Sequence, residues 1–230
     1  MNITEPAVGT YNYFQQLNEQ IYGEANKEVY PITLEIIAKI ALYAERLRER
    51  GIQHSNKPII IHCSVMAFSW QMAFANRLKF VDNIHSRMYE HFLNCPYCLK
   101  KPCDCGKRVG PKPDRRIFNY NSASNPSTDA FQTHLAELYP KNTLIRSGDH
   151  LMAEVAEVMG AWMTYTRYPS PESIAHLMEE FCDMNAHLVA IAHCAGFSLA
   201  AQTVEVFRNG CPGDCKSWKC TCGYTNLAIR

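Results

Sequence analysis

The chain lacks a charge excess, a long apolar run and an N-terminal targeting pattern. Lys and Arg number 23 and Asp and Glu number 22, so the formal net charge is +1. This balance gives no electrostatic basis for binding nucleic acid or a membrane surface. No run approaches the roughly 18 apolar residues of a membrane span. The opening MNITEPAVGTYNYF has neither the basic region nor the apolar segment of a signal peptide. We therefore expect a cytoplasmic protein without membrane contact.

Cysteine, by contrast, is abundant, and its clustering indicates metal binding. The chain has 11 cysteines. Eight of them form two compact groups: Cys95, Cys98, Cys103 and Cys105, then Cys211, Cys215, Cys220 and Cys222. Four thiolates in so short a segment can converge on one tetrahedral ion, which predicts a structural Zn²⁺ site in each group. An iron–sulfur cluster uses the same ligands and stays an alternative. Such clustering is typical of a reducing compartment rather than of secretion.

Apolar residues recur at helical spacing through most of the chain, which predicts an all-α fold. The run IIIHCSVMAF has the local propensity of a strand, but its pattern continues past the usual strand length, so we predict a helix there as well. The predicted helices are 11–22, 31–51, 58–77, 82–93, 129–139, 149–167, 170–195 and 198–210.

The order of these segments occurs twice. Phe14-Gln15 begins eight residues before Tyr22, and Phe131-Gln132 begins eight residues before Tyr139. Each is followed by three further predicted helices and a Cys group. The pattern predicts a duplicated helical unit, with halves at 11–105 and 129–222. The segment 106–128 between them is aperiodic and rich in Gly, Pro, Ser, Asn and Arg, so we interpret it as a linker.

Two carboxylate pairs lie in the second half. Glu154 and Glu157 are three residues apart, as are Glu180 and Asp183, and Tyr168-Pro-Ser-Pro171 between them breaks the helix. Residues three apart share a helix face, and a short connection makes the helices antiparallel neighbours. Four carboxylates that face one another must take up protons or be neutralised by cations. Oxygen ligands of this kind suit Mg²⁺ or Mn²⁺.

The order and spacing of these acids resemble a known family. Glu154-Val-Ala-Glu157, then 22 residues, then Glu180-Phe-Cys-Asp183 is similar to the ExxE…ExxD signature of MazG-like, all-α nucleoside triphosphate pyrophosphohydrolases. The segment 192–199, which contains Gly196, resembles the turn between the family's third and fourth helices, and 203–209 resembles its fourth helix. The resemblance covers about residues 128 to 210.

The resemblance implies a fold, an activity and a site. The fold would be a tandem pair of MazG-like four-helix units, each followed by a loop with four metal-binding cysteines. The activity would be hydrolysis of a nucleoside triphosphate, in particular a deoxynucleotide, to monophosphate and pyrophosphate. Glu154, Glu157, Glu180 and Asp183 would hold the Mg²⁺ or Mn²⁺ ions and be the catalytic residues. Members of the family generally form dimers or higher assemblies, so this chain would be an internal pseudo-dimer that can associate further.

The first half lacks most of these acids. Aligning the halves puts Cys63 opposite Glu180, Met66 opposite Asp183 and Ala38 opposite Glu157. We therefore expect the first half to support the second without holding the same metals.

Basic residues and histidines near the acids are further candidates. Arg146, Arg167 and Arg208 lie near helix ends and are candidate phosphate-binding residues, although 206–209 lacks the lysine that the family carries there. His150 precedes Glu154 by four residues, and His187 follows Asp183 by four. Imidazole beside carboxylates favours transition metals.

Two alternatives therefore stay open. One is a dinuclear Mn or Fe carboxylate–histidine enzyme in a helical bundle with His150 and His187 as further metal ligands, although the ferritin-like Glu-x-x-His pattern is absent. The other is a non-enzymatic nucleotide-sensing or zinc interaction module.

Overall fold

The computed structural model describes residues 7–24, 27–50, 57–78, 84–105 and 127–222. The predicted linker 106–128 lies outside the described residues except for its last two. Those two do not belong to a linker: Ser127 is the N-cap of a helix, and Thr128 is its first residue.

The fold is all-α, as predicted, and the described residues contain eight helices and no strand. The helices are α1 (Tyr11–Tyr22), α2 (Val29–Arg50), α3 (Lys57–Arg77), α4 (Ile84–His91), α5 (Thr128–Leu138), α6 (Leu144–Arg167), α7 (Pro171–Cys194) and α8 (Leu199–Phe207).

The helix ends follow from local capping. Thr10 caps α1, and Ser170 caps α7 with a proline at the first helical position. The prediction that α6 begins at residue 149 is wrong, because the helix begins at Leu144. Thr143 is its N-cap, and the Thr143 side chain accepts a hydrogen bond from the backbone N–H of Arg146. Gly148, which looks like a break in the sequence, is buried inside the first turns of this helix.

Helix α3 is helical along its whole length, so the strand alternative is excluded. By length and composition alone, α3 would also pass as a membrane span, and so would α7 and α8 together if their 93° bend were ignored. However, 78% of the apolar window of α3 is buried inside the protein. In this structure α3 is a core helix.

The helices of each half pack in the same pattern, and the two patterns interlock. Helix α3 packs on α1 and α2, and α7 packs on α5 and α6 in the same way. Helices α2 and α6 contact each other, and so do α3 and α7. The fourth helices cross over: α4 packs on α7 of the second half, whereas α8 packs on α3 of the first half. The central helix of each half, α3 or α7, is thus covered by the fourth helix of the other half.

Residues 117 positions apart in sequence occupy matching places in these two patterns. The backbone N–H of Cys103 donates to the carbonyl oxygen of Leu138 at 2.7 Å, and that of Cys220 donates to the carbonyl oxygen of Ile21 at the same distance. Leu99 and Lys216 both have positive φ angles, 58° and 46°. The Cys groups at the ends of the halves therefore dock reciprocally, each on the first helix of the opposite half.

A buried hydrogen-bond chain joins the two halves at their centre. Asn185 of α7 is fully buried. Its Oδ1 accepts from the Tyr11 hydroxyl at 2.7 Å, and its Nδ2 donates to Gln71 Oε1 at 2.5 Å. The Tyr11 ring packs edge-on against Phe68 and Phe131, from α3 and α5. These two hydrogen bonds compensate for the burial of the Tyr11 hydroxyl, the Asn185 amide and the Gln71 side-chain carbonyl oxygen in this apolar core.

We expect Asn185→Ala to lower the free energy of unfolding by roughly 2–4 kcal/mol, because it opens a cavity and leaves the Tyr11 hydroxyl and Gln71 amide without their shared partner. Chemical denaturation followed by circular dichroism measures this. Asn142→Ala, in the half-buried connection before α6, is the matched control and should cost less than about 1 kcal/mol. Equal losses in the two variants would contradict the central role of Asn185.

Candidate metal centres

Three of the four predicted acids converge between α6 and α7. Glu154 and Glu157 project from α6 and Glu180 from α7, and each offers a carboxylate oxygen within 4.8 Å of the others. Glu180 is buried, Glu154 is half-buried and Glu157 is exposed. The trio thus runs from the protein interior to solvent. Such a graded set of oxygens is a candidate site for one hard divalent cation.

The fourth acid, Asp183, is engaged by a histidine from the other half. His91, at the end of α4, places its Nε2 3.0 Å from Asp183 Oδ1. Both side chains are buried, with exposures of 4% and 9%. Asp183 lies one turn after Glu180 on the same helix, so the His91 contact borders the carboxylate trio. His91 was not among the site residues predicted from the sequence.

Two more histidines line the trio. His176 Nδ1 lies 3.2 Å from Glu180 Oε1, one turn earlier on α7. His187 Nε2 lies 3.7 Å from Glu154 Oε1. The predicted pair His150 and His187 does come together: the rings stack with centroids 5.1 Å apart and planes 13° apart. The stacked rings lie at the Glu154 end of the site.

The environment of His187 favours its neutral form. Burial lowers the pKa of His187 to about 4, and the neighbouring His150 and Arg146 contribute to the lowering, while Asp183 opposes the shift. At neutral pH, His187 is therefore an uncharged imidazole that can offer a lone pair or donate one N–H.

The three candidate phosphate-binding arginines lie in different places. Arg146 is exposed in the first turn of α6, close enough to His187 to influence its pKa. Arg167 is exposed in the last turn of α6. Arg208 follows α8, where its Nη1 lies 3.4 Å from Glu205 Oε2. Of the three, Arg146 is the one whose charge acts on a residue beside the acids, His187.

A further cation near the acids comes from α4. Arg87 lies one turn before His91, and its charge partly offsets the effect of Asp183 on Cys182. Burial chiefly, and Asp183 next, raise the pKa of the Cys182 thiol. Cys182 is therefore a protonated core residue, and Arg87 adds positive charge on the α4 side of α7.

The two Cys groups have the geometry of compact metal sites. In each group, four sulfur atoms lie within 4.8 Å of one another. The Sγ atoms of Cys95 and Cys105 are 3.4 Å apart, and Cys211 Sγ lies 3.4 Å from Cys220 Sγ and 3.9 Å from Cys222 Sγ. Four sulfurs on a tetrahedral zinc with bonds of about 2.3 Å are roughly 3.8 Å apart. Both groups could therefore hold zinc.

Backbone N–H groups point at the sulfurs, as they do around thiolates. The backbone N–H of Asp104 donates to Cys98 Sγ at 3.4 Å, and that of Cys215 donates to Cys222 Sγ at 3.3 Å. The N–H of Gly213 donates to Cys211 Sγ at 3.4 Å. A Cβ at Gly213 would lie 3.1 Å from Cys222 Sγ, so the lack of a side chain lets the backbone approach the second group closely.

Tyrosines from the opposite halves close both groups. The Tyr22 hydroxyl donates to Cys211 Sγ at 3.6 Å, and Tyr139 hydrogen-bonds Cys95. Burial, followed by the adjacent thiols, raises the pKa of both tyrosines. Each therefore stays a neutral hydrogen-bond donor to the sulfur that it contacts at neutral pH.

Comparisons with models of known protein families, with curated proteins and with solved structures find no match to this chain. The resemblance to MazG-like enzymes accordingly stays a prediction from the acid motif, and the division into halves at 11–105 and 129–222 stays one as well.

In metal-free protein, we expect Cys215 and Cys98 to react first with iodoacetamide. Hydrogen bonds, first from the Thr221 backbone, lower the pKa of Cys215 to about 6. Burial opposes the shift at Cys98, but bonds from the Asp104 and Lys100 backbone outweigh it and lower the pKa to about 7. Because the thiolate is the nucleophile, alkylation should be half-maximal near these pH values, as followed by peptide mass spectrometry.

Cys105 and Cys220 are the internal controls, because burial chiefly raises the pKa of each. They should stay largely unreacted at neutral pH, and zinc should protect all four residues. Uniform alkylation that begins only above about pH 8.5, the range of an ordinary thiol, would refute this electrostatic description.

Proposed function

We propose that the chain is a metal-dependent nucleoside triphosphate pyrophosphohydrolase of the MazG-like kind. It would cleave a nucleoside triphosphate, with a deoxynucleotide as the expected substrate, to nucleoside monophosphate and pyrophosphate. The observation that carries the proposal is the convergence of Glu154, Glu157 and Glu180, with Asp183 one turn further along α7.

The carboxylates fit Mg²⁺ or Mn²⁺. Oxygens around a small octahedral cation, at about 2.1 Å from it, are roughly 3–4 Å apart. The trio, within 4.8 Å, needs only a small adjustment to reach that spacing. The Glu157 side chain is exposed and can move to make this adjustment, whereas the Glu180 side chain is buried and held in place.

Bound divalent ions would neutralise the triphosphate and orient the attacking water. Glu154, Glu157, Glu180 and Asp183 would hold these ions, and an oxygen of this set would accept the proton of the water. His187 stays neutral and adds no positive charge beside the metal ligands. Arg146 would contribute charge to the phosphates from the His187 side, with Arg167 and Arg208 as more distant candidates.

We also propose that the chain is a tandem repeat that acts as an internal pseudo-dimer. The support is the matching packing of α1–α4 and α5–α8 and the exchange of α4 and α8 between the halves. Position 63 of the first half is a buried cysteine and position 66 a buried methionine, where the second half has Glu180 and Asp183. The first half would thus be a scaffold for the second.

Each Cys group would hold one Zn²⁺. The sulfur spacings, the N–H donors and the lack of an open ligand position in a set of four thiolates all suit a structural ion without chemistry of its own. Zinc would fasten the loop after each fourth helix to the first helix of the opposite half, where Cys103 and Cys220 already bond the backbone.

One observation favours a second candidate. His187 Nε2 lies 3.7 Å from Glu154 Oε1, and the His187 ring stacks on His150, so imidazole ligands are available beside the carboxylates. A dinuclear Mn or Fe site would use them. Elemental analysis of purified protein distinguishes the candidates, because this alternative requires tightly bound Mn or Fe in addition to the metal in the Cys groups.

We expect selective pyrophosphate release from a panel of nucleoside and deoxynucleoside triphosphates, with monophosphate as co-product and with EDTA abolishing it. Glu157→Gln removes a ligand oxygen and its charge without disturbing the core, since Glu157 is exposed. It should lower kcat at least ~100-fold while the thermal midpoint changes little. Product chromatography and a pyrophosphate assay give these readouts.

Glu172→Gln is the matched control. Glu172 is exposed in the first turn of α7, two turns before Glu180, and should be dispensable for turnover. Full activity in Glu157→Gln would mean that the site is wrongly assigned. If the wild-type protein keeps its Cys-bound metal but releases no pyrophosphate from any nucleotide of the panel, the hydrolase proposal is wrong. The dinuclear site or a binding module would then be favoured.

We further expect two zinc ions per chain and a lower thermal midpoint after chelation, because a structural zinc site stabilises the folded state by several kcal/mol or more. Plasma emission spectrometry and calorimetry test this. Iron together with acid-labile sulfide would instead identify iron–sulfur clusters in the same ligand sets.

A further inference from the structure

The contact between His91 and Asp183 crosses from one half of the chain to the other. Helix α4 follows the first-half helices, yet its last residue hydrogen-bonds an acid of the second half at 3.0 Å. The two residues are 92 positions apart in sequence. Burial of both side chains removes competing water, so the contact fixes the orientation of the carboxylate more firmly than a surface contact would.

His91 depends on its surroundings for its position. Helix α4 has eight residues, too few to be stable alone in water. Met88 and Phe92 anchor it in the core, with exposures of 1% and 4%. His134 Nε2 donates to the carbonyl oxygen of Phe92 at 2.7 Å, directly after His91. The end of α4 is thus attached to α5.

The first Cys group forms the other anchor. Cys95 follows His91 by only four residues and is fully buried. The group docks on α5 through the Cys103 N–H to Leu138 oxygen bond of 2.7 Å and the ion pair of Lys101 with Glu137 at 2.8 Å. The four residues from His91 to Cys95 span at most about 14 Å, because an extended residue covers at most ~3.5 Å. A change in the fold of this loop therefore occurs close to His91.

The second Cys group and α8 before it pack mainly on α1 and α3. The group follows α8, which packs on α3, where Met66 is the residue that corresponds to Asp183. Its anchors are Tyr22 and the Ile21 carbonyl, both on α1. The pseudo-symmetric design therefore provides two similar metal-binding loops, and it is the first that adjoins a helix in contact with an acid of the site.

We propose that His91 is a positioning residue for the metal-binding acids, and that the first Cys group sets its position. Metal in the first Cys group would thereby strengthen metal binding by the carboxylates, whereas metal in the second would not. This proposal rests on the proposed function in one respect: it requires that Glu154, Glu157, Glu180 and Asp183 bind a divalent cation. Outer partners of metal-ligating side chains typically change metal affinity 10–100-fold.

The first test compares Mn²⁺ binding to zinc-loaded wild type, His91→Leu and His91→Gln, by titration calorimetry and by the electron paramagnetic resonance spectrum of bound Mn²⁺. His91→Leu should weaken binding by roughly 10–100-fold and broaden the spectrum. His91→Gln should recover much of the affinity, because the glutamine amide can donate a hydrogen bond to Asp183 from a similar place. Equal affinity in all three proteins, or a glutamine variant as weak as the leucine variant, would overturn the proposal.

The second test uses the internal symmetry as its control. Cys98→Ser and Cys215→Ser each remove a ligand at matching positions of the two groups. Cys98→Ser should weaken Mn²⁺ binding about as much as His91→Leu does, whereas Cys215→Ser should leave it within ~2-fold. In the double variant of His91→Leu and Cys98→Ser, the effects should not add, because they act through one contact. If both cysteine variants weaken Mn²⁺ binding equally, the cause is a general loss of stability, and the proposed role of the first Cys group is wrong.

The two levels of failure are separable. If wild-type protein binds no Mn²⁺ and releases no pyrophosphate, the proposed function fails, and the role of His91 fails with it. If wild-type protein binds Mn²⁺ and turns over, but His91→Leu does both equally well, the function stands and only the positioning role is refuted.

Discussion

The concentration of negative charge between α6 and α7 is the constraint on which the rest of this structure depends. Glu180 and Asp183 are buried on α7, and Glu154 and Glu157 of α6 approach Glu180. Burying a carboxylate costs several kcal/mol unless other groups compensate it. His91, His176 and His187 each place a ring nitrogen within 3.7 Å of one of the acids, and Arg87 and Arg146 add positive charge nearby.

The exchange of fourth helices explains how a half that lacks the acids can still matter to them. Helix α4 covers α7, and α8 covers α3, so each central helix is buried by an element from the other half. Central polar contacts, from Tyr11 through Asn185 to Gln71, join α1, α7 and α3. The lack of carboxylates at Cys63 and Met66 leaves this scaffold intact, because those positions are filled by buried apolar or weakly polar side chains.

The features that depend on local spacing could be predicted from the sequence. Acids three apart and cysteines grouped in short loops were recognisable, and α1 has the predicted ends at Tyr11 and Tyr22. His176 could have been found as well, because it precedes Glu180 by one turn on the same helix. His91 could not, since its contact with Asp183 spans 92 residues and depends on how α4 packs. The sequence prediction placed the start of α6 too late, because glycine is typical of helix ends. In the structure, α6 begins at Leu144 and Gly148 is buried inside the helix.

The reciprocal docking of the Cys loops has a consequence for how the molecule can be divided. A cut in the segment between the halves would leave a first piece whose α3 lacks the cover of α8, and a second piece whose α7 lacks that of α4. Each piece would also carry a thiol loop separated from the backbone carbonyl that holds it, at Leu138 or Ile21. The natural partner for either fragment is therefore the other fragment, so that co-expressed halves should reassemble where separate halves aggregate.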